Sequence, residues 1–174
     1  MKNKTRRSVK WALYLLFAVI LLCFQCAPQK TPLFEGTLFL LPLAVSIACF
    51  EKLVPVAVMG TACGFLWDYS ARCLFGFHAL VLCVLCVAVS LVLQFLLRSV
   101  VWNHLLCIAV GTALYELVFF FFFRLLPGSG ELWKMLYSHC LPVFFKTILF
   151  GAAIYFVVRK IYRISPSAEA FGQD

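Results

Sequence analysis

The chain has 174 residues, 64% of them hydrophobic and only 13% charged, with a mean hydropathy of +1.01 and a formal net charge of +8. A water-soluble domain needs far more charge to cover its surface, and a disordered chain needs far less apolar content. Long apolar runs without alternation exclude the strands of an outer-membrane barrel, and basic residues gathered mainly at the two ends read as membrane topology rather than a nucleic-acid footprint.

The first apolar run is Trp11 to about Ala27, preceded by Lys2, Lys4, Arg6, Arg7 and Lys10. It resembles a signal peptide without a cleavage site, so an uncleaved anchor is expected. A polar stretch with two prolines, Pro28 and Pro32, leads to two shorter runs at 36–50 and 53–67, divided by Glu51 and Lys52. Fifteen residues make roughly 22 Å of helix, short of a ~30 Å hydrocarbon core. Together they hold too many residues for one broken span, so two helices are expected. Pro42 and Pro55 inside them are tolerable where neighbouring helices re-satisfy the backbone. The fourth run covers 74–97, the fifth 105–123 and the sixth 135–158, with a turn signal at Pro127-Gly128-Ser129-Gly130 between the last two.

The expected fold is therefore all-α: a six-transmembrane-helix bundle forming one domain over residues 1–164, with a polar tail at 165–174. With the N-terminus in the cytoplasm, ten Lys and Arg fall inside and four fall outside, Lys146 being intramembrane. That balance obeys the positive-inside rule and puts both termini in the cytoplasm. Four spans remain open if the short runs re-enter rather than cross.

Charge within a bilayer is costly, which singles out Glu116 and Lys146. Glu116 lies roughly 16 Å from the cytoplasmic start of run five, and Lys146 roughly 14 Å from the cytoplasmic side in run six. The matching depths predict an intramembrane ion pair that fixes helix packing, with a proton or ion path, or contact with a partner, as the alternatives. Pro142 is expected to kink run six just before Lys146. Gly60-x-x-x-Gly64 permits close helix approach, within the bundle or with a partner helix.

Nine cysteines lie mostly within apolar runs, including two C-x-x-C pairs without further ligands at metal spacing, and read as small apolar fillers. The three histidines, 78, 104 and 139, fall on different helix ends or loops. No phosphate-binding glycine loop and no H-E-x-x-H occurs. No catalytic, cofactor or metal site is expected.

Asp68 closes the third run in Gly64-Phe65-Leu66-Trp67-Asp68, before Gly76-Phe77-His78-Ala79-Leu80. Topology puts it at the outer membrane face, as a turn organiser or as the acceptor of a hydrogen bond or cation from Arg72 or an outside partner. That position argues against a buried ion site or a catalytic acid.

These residues carry a resemblance. Gly60, Gly64, Asp68 and the Gly76-to-Leu80 opening of the next helix resemble the MreD family of the bacterial rod-shape machinery. So do Glu116 in run five, Leu141-Pro142 early in run six, and the aromatic-to-basic ending from Tyr155 to Lys160. Lys146, where the family often has asparagine, and Arg72 and Cys73, where it has small residues, depart from the pattern. The resemblance implies a fold similar to the substrate-binding subunits of energy-coupling-factor vitamin transporters. It implies a non-enzymatic scaffold of the cytoplasmic membrane, acting in rod-shape determination and lateral peptidoglycan synthesis without a cofactor. Its direct partner would be MreC, which links it to MreB, RodA and a class B penicillin-binding protein. The principal alternative is a vitamin-transporter substrate-binding subunit itself, although Ala12 and Ala18 lack the small-residue spacing those proteins use for docking. A small ion or lipid transporter is a third.

Overall fold

A computed structural model describes residues 2–26, 36–71, 74–95, 101–125 and 141–163. Among these residues there is no strand. Six α-helices follow in order: α1 (Lys2–Cys26), α2 (Leu40–Ala48), α3 (Leu53–Ala71), α4 (Phe77–Phe95), α5 (Val101–Phe120) and α6 (Leu141–Tyr162). A π-helical turn, Phe121–Leu125, extends α5. Three stretches are long and apolar enough to cross a membrane: Ser8–Cys26, Trp102–Phe123 and Leu141–Tyr162. Phe77–Leu93 is a shorter apolar stretch.

Five helices form a closed ring, α1 against α3, α3 against α4, α4 against α5, α5 against α6 and α6 against α1. The short α2 stands inside it and touches all five. All nine of its residues are buried. The ring helices instead turn apolar side chains outward, among them Leu16, Phe24, Val58, Val84, Leu117 and Phe145. Being apolar on the inside and the outside is what a helix between a protein core and lipid requires.

The run at 36–50 is thus helical over only nine residues, about 13.5 Å, less than half of a hydrocarbon core. Its hydrophobicity has a different cause from that of its neighbours: α2 is apolar because protein surrounds it on every side. Its start lies within the bundle, where free amide hydrogens would be costly. Side chains of two ring helices meet them. Gln25 Oε1 on α1 accepts from the Phe39 and Leu40 amides at 3.1 and 3.3 Å, and Thr147 Oγ1 on α6 accepts from the Leu38 amide at 3.3 Å.

Pro42 and Pro55 each fall in the first turn of their helix. There the missing amide hydrogen interrupts no helical bond, so no compensation from neighbours is needed. Residues 135–140, the predicted beginning of run six, on which the expected kink at Pro142 depends, lie outside the described residues.

Candidate functional site

The closest helix contact is α3 on α4, and two glycines make it possible. A Cβ on Gly64 would stand 2.2 Å from Ala79 Cα and 2.7 Å from the His78 carbonyl oxygen. One on Gly60 would stand 3.1 Å from Cys86 Sγ and 3.2 Å from the Leu82 carbonyl oxygen. The Gly60–Gly64 face is therefore occupied by α4 of the same chain and is closed to a partner helix.

At the end of this seam α3 runs on to Ala71, four residues past the predicted boundary, and carries Asp68 into its last turns. Gly76 then turns the chain with φ +94°, a left-handed backbone that favours glycine. The turn sets the first amides of α4 against the Asp68 carboxylate. Oδ2 accepts from Gly76 N–H at 2.9 Å and Ala79 N–H at 3.2 Å. Oδ1 accepts from His78 N–H at 3.1 Å and from His78 Nδ1 at 2.7 Å. A carboxylate only accepts, so the His78 hydrogen is assigned to Nδ1. Two bonds at each oxygen use the full capacity of the group.

Asp68 is 4% exposed and His78 2%. Of the two readings of Asp68, the turn organiser is the one these bonds show; the group is buried and taken up by its own chain rather than presented to an outside partner. The reason is local. The first amides of a helix have no partner within it, and an acidic side chain beside them is favoured by both hydrogen bonding and the helix dipole. Arg72 lies outside the described residues. An aromatic wall covers the corner, with Trp67 4.6 Å from the His78 ring and stacked on Tyr115 at 5.0 Å. Tyr115 stacks in turn on Phe119. Gly76, Asp68 and His78 thus tie α3 to α4, and Trp67 ties both to α5.

A second buried charged cluster lies at the opposite end. Lys10 Nζ on α1 is 2.6 Å from Glu51 Oε1 at the α2–α3 corner, and both side chains are 2% exposed. Lys10 also sits 5.6 Å from the Trp11 ring and 5.5 Å from the Tyr162 ring on α6. Phe50, beside Glu51, stacks on His104 of α5 and on Tyr155 and Tyr162 of α6 at 5.3 to 5.5 Å. One cluster therefore joins α1, the α2–α3 corner, α5 and α6.

Sequence reasoning missed this pair. It counted Lys10 with the solvated N-terminal cations and Glu51 with a polar break. Nothing local marks them as partners 41 positions apart. Glu116 and Lys146 lie half-buried on the adjacent helices α5 and α6. Thr61, Ser70 and Thr112 return their hydroxyls to carbonyls of their own helices, which is how these polar groups are accommodated in apolar segments.

Among the described residues no group of three or more histidine, cysteine, aspartate or glutamate side chains is arranged to hold a metal ion. Comparison with protein-family models, with curated proteins and with solved structures gives no match. The helical fold and the three membrane-length apolar stretches place the chain among proteins suited to a membrane.

Proposed function

We propose that the protein is a non-enzymatic membrane scaffold of the MreD type, which binds MreC and through it couples MreB to RodA and a class B penicillin-binding protein during lateral wall synthesis. The observation that carries this reading is the α3–α4 corner. Gly64, Asp68, Gly76, His78 and Ala79, letters of the MreD resemblance, work as one unit there. Their shared task is to hold two helices at a fixed angle, which suits a scaffold.

On this reading the chain crosses the bacterial cytoplasmic membrane an even number of times, with both termini in the cytoplasm. Contact between Lys10 and Tyr162 supports an even number of crossings, since the start of α1 and the end of α6 then share a face. With the glycine face filled by α4, MreC is met at the exposed side of the corner. Tyr69, Leu74 and Phe75, 86, 70 and 74% exposed, offer apolar surface there. Glu116 and Lys146 pair between α5 and α6 and fix their packing. If the double variant Glu116→Lys with Lys146→Glu is no more stable than either single change, direct pairing is wrong.

Co-purification of the full chain from its native membrane tests the scaffold. MreC is expected in the complex and is expected to be lost on changing Tyr69 and Phe75 to serine, with the helical content unchanged. Recovery of two ATPase subunits with a shared membrane coupler would replace this reading with a vitamin transporter.

A further inference from the structure

Exposed cations lie beside the buried Lys10–Glu51 pair on three elements. Arg6 stands one turn before Lys10 on α1 and is exposed. Lys52 follows Glu51 and is exposed. Tyr162, in contact with Lys10, is flanked by exposed Lys160 and Arg163, and Arg163 N–H bonds back to the Arg159 carbonyl. Three separate elements thus bring positive charge to one end of the bundle. Near this end, at the start of α5, Trp102 is 79% exposed, the position of an indole at a membrane interface.

We infer that this end is a binding platform for acidic phospholipid headgroups, with Arg6, Lys52, Lys160 and Arg163 as its contacts. Charge complementarity decides the occupant. The cations are exposed at one end of an apolar bundle, and their Arg members can take a phosphate with two parallel hydrogen bonds. The Lys10–Glu51 pair has a supporting part: it clamps α1 and the α2–α3 corner to each other, while the ring contact of Lys10 brings in α6, so the exposed cations stay grouped. The inference is independent of the MreD reading.

The test uses the full chain in vesicles of phosphatidylcholine with one-tenth phosphatidylglycerol. Brominated forms of each lipid are compared as quenchers of tryptophan fluorescence. Phosphatidylglycerol is expected to associate at least about fivefold more strongly, the effect of a single basic residue near an anionic surface. The preference should shrink at 0.5 M salt, where exposed charges are screened. It should vanish in the variant R6Q/K52Q/K160Q/R163Q and survive in R6K/R163K, which keeps the charge. Circular dichroism of both variants establishes that the bundle is intact, because none of the four residues is buried. Equal association of the two lipids overturns the inference, as does a preference unchanged in the fourfold variant. Displacement of phosphatidylglycerol by millimolar inorganic phosphate would assign the site to a free anion instead. Stronger competition by an acidic peptide such as tetraglutamate would assign it to a protein partner.

Discussion

The two ends of the bundle bury charge in opposite ways. At the α3–α4 corner Asp68 meets backbone amides 8 to 11 positions away, within one helical hairpin. At the other end Lys10 meets Glu51 across 41 positions, side chain to side chain. The first is an accessory of local chain geometry, because any helix start offers unpaired amides to a nearby acid. The second exists only after α1 has docked on the rest of the bundle. The corner should therefore fail locally and the pair globally.

The sharpest way to break that contrast is at the pair. Glu51→Leu leaves Lys10 charged and buried, and should cost about 3–5 kcal/mol in unfolding free energy, read from denaturant titration in detergent. The double variant Lys10→Met with Glu51→Leu should recover most of it, since two apolar groups need no partner. Loss of stability in the double variant equal to that in the single would show that the pair supplies more than mutual neutralisation.

Asp68→Ala comes next, at about 1–3 kcal/mol for the buried amides left without an acceptor. Hydrogen exchange should accelerate at Gly76, His78 and Ala79 while α1 is unaffected. Spread of faster exchange to α1 would erase the distinction between a local and a global device.

Gly64→Ala should also cost about 1–3 kcal/mol, because the new methyl meets the backbone of Ala79 rather than a side chain that can turn aside. Gly60→Ala should cost less, its neighbours being more than 3 Å away. A thermal melt of the two variants in detergent gives the order. The smallest effect is expected of Pro55→Ala, below about 1 kcal/mol, since a proline in a first turn contributes mainly by restricting the unfolded chain. A larger loss would show that Pro55 does more than restrict the unfolded chain.

What the sequence made legible follows the same division. Apolar runs, separated by Glu51-Lys52, by Gly76 and by the Pro127–Gly130 turn signal, mark the helices and their order. The α3–α4 corner is written in letters close together, so Gly60, Gly64, Asp68 and Gly76 were found, although the burial of Asp68 was not. Burial depends on where Gly76 sends the chain, which a left-handed turn decides and composition does not express. The Lys10–Glu51 pair, the Gln25 and Thr147 caps and the enclosure of α2 were illegible because each depends on segments far apart. A lysine in a basic N-terminal stretch looks solvated until a second helix covers it. A short apolar run looks like a poor membrane span until five helices are seen around it.

The caps on α2 bear on how the chain is made. Gln25 is supplied before α2 is synthesised, but Thr147 belongs to α6, the last of the described helices. While the chain emerges, nine apolar residues too short to cross the bilayer alone wait between two anchored neighbours, with one amide still unanswered. Maturation of the core is therefore postponed until α6 has been made, and a product cut short before α6 would carry an open centre for quality-control proteases to recognise.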